Sequence, residues 1–188
     1  MSEDLISLWL NLTSANFYKN WNWGGVFNGL MFKPGLYDTS PLHDFISDYF
    51  HNRSIHRLVH FNSVDANTGE IVTFDETCDK ETLVKGLCAS TAVPFVFPPV
   101  VLGDKVLMDG GVAWNLDVAS AIKKCRLLVD SDEKIVLDVI DVDRSFDDIE
   151  QWNNAGNAIS NYLRHNRIKD YFDRIDDLRE IQLAFPKV

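Results

Sequence analysis

The stretch "VLMDGGVAWN", Val106 to Asn115, carries an apolar run that ends in Asp109 and is followed at once by Gly110 and Gly111. A carboxylate in that position can orient or deprotonate a nucleophile. Two glycines beside it remove the side chains that would block a substrate or a partner residue. An unperturbed aspartate, with a pKa of about 3.9, is a weak base. The chemistry therefore requires burial, or a tight hydrogen bond to the nucleophile, so that proton transfer accompanies attack. Taken alone, Asp-Gly-Gly is also a common surface turn. Its position raises its value, because Asp109 follows a strand-like run and precedes a helix-like one, a junction where α/β proteins place functional groups.

Other residues that could do chemistry read more plainly. Ser90, in "CASTA", has no flanking glycine to expose it and reads as a packing or capping residue at a helix end. Among the histidines, His56 and His60 would share one strand face with His51 nearby, but a zinc site needs three or four convergent ligands. Asp138, Asp141 and Asp143 in "LDVIDVD" would lie on opposing strand faces, a poor cation cage. The cysteines Cys78, Cys88 and Cys125 have no metal-ligand spacing, and an odd number gives no disulfide framework. Neither G-x-G-x-x-G nor G-x-x-x-x-G-K-[ST] occurs, so no nucleotide-binding loop is expected.

Several elements must position Asp109. The first third, "FYKNWNWGGVFNGLMFKPGLYDTSPL", reads as helix fragments and structured loop, because glycines and prolines break its period. "SPLHDFISDYF" predicts a helix, with Ser40 as cap, Pro41 in the first turn, and Leu42, Phe45, Ile46, Tyr49 and Phe50 on one face. "IHRLVHFNSV" and "EIVTF" predict a hairpin around "DANTG", where Asn67 and Gly69 supply turn chemistry. "KETLVKGLCAST" predicts a helix, and Pro94, Pro98 and Pro99 then force an irregular extended path. In that path Phe95 and Phe97 read as core, with a wall for an acyl chain as the alternative. "KVLM" predicts a short strand entering Asp109. "DVASAIKKC" predicts a helix capped by Asp117, with two lysines suiting its C-terminal end. "KIVLDVIDV" predicts a central strand. A long amphipathic helix over 157–185 would present Ile168, Phe172, Ile175 and Leu178 together. Interleaved helices and strands predict an α/β class.

The segment "ASTAVPFVFPPVVLGDKVLMDGGVAWNLDVASAI" resembles the C-terminal catalytic block of the patatin-like phospholipases. In that family an Ala-Ser-x-Ala-x-Pro-x-x-Phe-Pro-Pro-like stretch leads through a hairpin to Asp-Gly-Gly or Asp-Gly-Ala, and an Asn-x-Pro-like segment then opens a helix. "VDANTGEIVTF" and "GLYDTSPL" resemble earlier parts of the same pattern, so the likeness runs from about 35 to 142. Asp117 stands where the family often has proline, and as a cap it is a sensible substitute. The resemblance implies a three-layer α/β/α domain and a lipid acyl hydrolase with a Ser–Asp dyad, in which Asp109 is the aspartate and Gly110 and Gly111 complete the motif loop. The nucleophile would sit in a G-x-S-x-G elbow, and a glycine-rich turn would form the oxyanion hole. No serine of this sequence lies in such an elbow. The expectation is a domain lacking its N-terminal strand–elbow–helix portion, with 1–150 as a partial patatin-like domain and 151–188 as a helical extension.

The expected partners are a lipid substrate or membrane-surface lipid, and a second chain that supplies the serine elbow. The alternative function is a non-catalytic relative acting as a lipid-binding or regulatory module. No cofactor or metal, calcium included, is implied. The sequence has 188 residues and a net charge of −10, which argues against nucleic acid as a partner. No run approaches the roughly 20 apolar residues of a membrane span, and the acidic start "MSEDLISLWL" lacks the basic region of a signal peptide. The expected location is the cytoplasm, with peripheral attachment at membranes or lipid droplets as an extension of it.

Overall fold

The turn chemistry of "DANTG" sets the centre of the fold. In the computed structural model, which describes residues 2–113, 116–140 and 157–188, strands β1 (His60–Asp65) and β2 (Ile71–Asp75) form an antiparallel hairpin around it. Gly69 takes φ 75°, the left-handed conformation that a side chain disfavours. Strands β3 (Val100–Leu102) and β4 (Lys105–Asp109) form a second antiparallel hairpin, and β4 pairs with β1. The sheet order is β2-β1-β4-β3, antiparallel throughout. Helices α1 (Ser2–Asn11), α2 (Gly25–Phe32), α3 (Ser40–His51) and α4 (Lys80–Ser90) accompany it in the same compact unit, Met1–Asn115.

Helix α4 covers one face of this sheet. Asp79 caps it by accepting from the Thr82 amide at 3.0 Å, which satisfies one of the free N–H groups of the first turn. Its Ala89 joins Phe74 and Leu107 in a fully buried cluster, and Phe61 stacks on Phe74 with ring centroids 5.4 Å apart. Its other side packs Val84 and Cys88 against Leu42 of α3. Burial pushes the Cys88 thiol up to about 11, so this cysteine is an inert core residue rather than a nucleophile.

The second unit, Leu116–Val188, holds α5 (Val118–Cys125) and α6 (Ala158–Ala184). Asp117 caps α5 through the Ser120 amide at 3.1 Å, as its sequence predicts. Val118, Ile122 and Ile135 form the unit's core, with Ile181 and Phe185 from the end of α6 packed on it.

Four sequence expectations need correction. Ser40 lies inside α3 rather than capping it; Thr39 is the flanking residue, and the Asp38 carboxylate accepts from the Ser40 amide at 2.9 Å. His56 lies before β1, not on it, since the strand begins at His60. The described part of "KIVLDVIDV", residues 134–140, is not a strand, and Lys134 ends a turn of 3-10 helix. Ile135 turns into the core of its own unit while Val136 and Ile140 are exposed, so its apolar content is spent on a local cluster instead of a ladder. Finally, Phe172 of the expected apolar face of α6 is exposed, and Arg174 is the buried side chain of that helix. Asp141 and Asp143 lie outside the described residues.

Candidate active site

Asp109 is the last residue of β4, and the chain then tightens into a single turn of 3-10 helix, Gly110–Val112. Its backbone N–H donates to the Ala92 carbonyl at 3.1 Å, which ties the strand end to the start of the proline-rich loop. Its carboxylate Oδ1 accepts from the Gly111 amide at 2.8 Å, capping the turn. Among the described residues, Gly111 is the one donor to this side chain, and the second carboxylate oxygen stays available. The side chain is half-buried. Burial pushes its carboxyl above the ordinary aspartate value, and the Gly111 hydrogen bond pulls the other way without cancelling it.

Gly110 has a structural reason that does not involve a substrate. A Cβ at this position would stand 1.7 Å from Asn62 Oδ1 and 2.7 Å from the Asn62 carbonyl oxygen. No side chain fits there unless β1 moves. Asn62 is itself buried.

Pairing with β1 places Ser63 directly opposite Asp109 and Asp65 opposite Leu107. The Ala66 amide donates to the Val106 carbonyl at 2.7 Å, so by antiparallel alternation Ser63 and Asp109 form a narrow, non-hydrogen-bonded pair. Their Cβ atoms share one face at about 4.5–5.5 Å. Ser63 is 0% exposed, and its Oγ has no hydrogen-bond partner. Its hydroxyl belongs to the residue directly across the ladder from the carboxylate. Ser63 lies in no elbow motif, and nothing local in the sequence predicts which strand β1 will meet. The same holds for Asn62, whose contact with Gly110 spans 48 positions.

The remaining candidates are scattered. Ser90 ends α4, Cys78 is half-buried and Cys125 exposed. Among the described residues no three His, Cys, Asp or Glu side chains gather as a metal site. Phe97 packs near Tyr18, with centroids 6.0 Å apart, whereas Phe95 is exposed.

A four-stranded antiparallel sheet with helices, ending one strand in a half-buried Asp before two glycines, defines a mixed α/β domain with one candidate carboxylate base. A family model for the patatin-like phospholipases matches residues 1–122. The chain belongs to that family, a family of lipid acyl hydrolases. The sequence matches none of the curated proteins. No helix among the described residues is long and apolar enough to cross a membrane.

Proposed function

We propose that this chain contributes the aspartate of a Ser–Asp dyad to the hydrolysis of carboxylic esters in phospholipids or acylglycerols. The observation that carries the reading is the state of Asp109. It is half-buried, its carboxyl sits above the ordinary aspartate value, and among the described residues it has one hydrogen bond, on one of its two oxygens. In the reaction a serine hydroxyl adds to the acyl carbonyl and transfers its proton to Asp109. The lipid alcohol leaves with that proton, and water then releases the fatty acid from the acyl-serine. A raised pKa improves Asp109 as the proton acceptor. Gly111 places no side chain beside the carboxylate it caps, and Gly110 makes room for Asn62. The serine would come from a G-x-S-x-G elbow, which this sequence does not contain. That fact favours a second reading, a non-catalytic relative that binds lipid without turning it over. The site of action under either reading is a cytoplasmic lipid surface.

The test is reconstitution. The chain alone should hydrolyse a fluorogenic fatty-acyl ester at background rate. Mixed with a polypeptide carrying the strand, elbow and helix of a patatin-like phospholipase, it should turn the ester over, and Asp109→Asn should lower that rate by about a thousandfold or more. Equal rates with the wild-type chain and with Asp109→Asn would sink the dyad. No turnover in any mixture, with lipid binding retained, would select the binding module.

A further inference from the structure

We propose that the aromatic surface formed by Trp23, helix α2 and Phe95 is the lipid-docking face of this protein, which seats the chain on a neutral phospholipid surface. The proposal specifies which surface meets the lipid and rests on the family's lipid chemistry, but it does not need Asp109 to be catalytic.

Helix α2 is inside out. Its buried residue is Gly29, where a Cβ would stand 2.2 Å from the Leu36 carbonyl oxygen, so only glycine lets the helix sit this close. Its large apolar side chains, among them Phe27, Leu30 and Met31, face solvent instead. An ordinary surface helix does the reverse, and an exposed contiguous apolar patch marks an interaction site.

The backbone singles out the same surface. Among the described residues, two non-glycine residues have positive φ: Trp23 at 61° and Phe95 at 73°. That conformation is unfavourable for bulky side chains, and strained residues persist where the surrounding structure imposes them, commonly at functional sites. Both are aromatic and both are exposed, Trp23 by 94% and Phe95 by 61%. Leu36 joins them: its carbonyl crowds Gly29 of α2, and its amide donates to the Phe95 carbonyl at 3.0 Å. The loop carrying Phe95 starts at Ala92, whose carbonyl holds the Asp109 amide. One loop, Ala92 to Phe95, therefore links the backbone of the patch to that of Asp109.

Charge selects lipid as the occupant. The chain carries 28 acidic residues and a net charge of −10, yet residues 5–37 contain no Asp or Glu and only Lys19 and Lys33. Lys33 lies over the Trp21 ring at 5.1 Å, beside the patch. An acid-free, tryptophan-rich apolar surface suits the headgroup boundary, where the indole places an apolar body in lipid and a polar edge in water. A second copy is disfavoured as occupant by the repulsion between two chains of charge −10.

The experiment is flotation of the full chain with vesicles of ether-linked phosphatidylcholine, which no acyl hydrolase can cleave. The wild-type chain should float. Trp23→Gly relieves the left-handed strain, so it should unfold at no lower temperature than wild type while its partitioning falls about tenfold or more. Phe27→Ser with Met31→Ser should do the same from side chains that are already exposed. Flotation unchanged in both variants would overturn the proposal. So would a wild-type dimer in sedimentation that the variants convert to monomer, since a second copy would then own the face. Because no turnover is read, failure of the dyad and failure of this docking face give different results.

Discussion

The two ends of the β1–β4 pairing carry two aspartates on one sheet face, and the fold treats them in opposite ways. Asp65 is 3% exposed and saturated: it accepts from the amides of Asn67 at 3.1 Å and Val106 at 3.4 Å, from the Thr68 hydroxyl at 3.3 Å, and lies 3.8 Å from Lys105 Nζ. The Asn67 amide first, with the Val106 amide, Lys105 and Thr68 adding to it against the cost of burial, holds its carboxyl below the ordinary value. Among the described residues Asp109 has one donor and no cation beside it, and its carboxyl is raised. Across the ladder from each stands a fully buried neutral residue, Leu107 opposite Asp65 and Ser63 opposite Asp109. Neighbouring carboxylates whose environments push them apart have different tasks. Asp65 is a structural clamp for the hairpin turn, and Asp109 is kept short of partners.

The largest effect should come from the residue between them. Leu107→Ala removes a fully buried side chain from the Phe74–Ala89 cluster and should cost about 3–5 kcal/mol in chemical denaturation. In the same variant, water entering the cavity should bring the Asp109 carboxyl back toward its ordinary value, while Asp65, governed by hydrogen bonds, should stay low. A carboxyl-carbon NMR titration separates the two. Equal movement of both would break the distinction between burial and hydrogen bonding as their causes. The next effect should come from Gly110→Ala, whose Cβ must displace Asn62. Overpacking of this kind costs about 1–3 kcal/mol, and trimming the obstacle in Gly110→Ala with Asn62→Ala should recover part of the loss. No recovery would mean that the main chain, not the Asn62 amide, sets the limit.

The contrast between these aspartates shows where sequence reading stops. The hairpin was legible because "DANTG" is a local signal between two β-rich runs, α5 was legible from its Asp117 cap, and the long C-terminal helix was legible in extent but not in which side chain it buries. Asp109 stood out because its carboxylate and two glycines fall between a strand-like run and a helix-like one, and the family pattern around them could be followed. Its environment was not legible. That Ser63 faces it, that Asn62 fills the space beside Gly110, and that Asp65 shares its sheet face all depend on a pairing between segments more than 40 positions apart. The run "KIVLDVIDV" misled for the complementary reason. Continuous apolar residues fit a buried strand, yet Ile135 finds its burial against Val118 and Ile122 without a ladder partner among the described residues. Helix α2 was missed as a surface feature because its composition resembles core.

A smaller effect, with its own pH signature, belongs to Asp65→Asn. The substitution keeps an acceptor oxygen but loses the charge. Because the folded carboxyl lies below its unfolded value of 3.8, its stabilisation is fully present above that pH and disappears as pH falls through the folded value. The variant should therefore melt below wild type at pH 7, and the two should converge in strong acid. A constant gap at every pH would assign the loss to packing instead.

Asp109→Asn should give the smallest change in stability and the opposite sign. Asparagine can still accept from the Gly111 amide, so the cap survives. The folded carboxyl lies above its unfolded value of 3.8, so at neutral pH the wild-type chain bears the cost of holding a charge in a half-buried place. That cost vanishes as pH falls through the raised value, because the carboxyl is then neutral and the comparison with asparagine becomes even. Thermal melts of the two proteins across pH should show the variant slightly more stable at pH 7 and indistinguishable near pH 3. A group that destabilises its own fold is retained for something other than folding, and a gain in stability with a loss of reconstituted turnover would identify Asp109 as that group. If Asp109→Asn instead melts lower at pH 7, the carboxylate has a partner in solution that strengthens the fold. The most direct donor would then be the Ser63 hydroxyl across the strand, and adding Ser63→Ala to Asp109→Asn would cost nothing further.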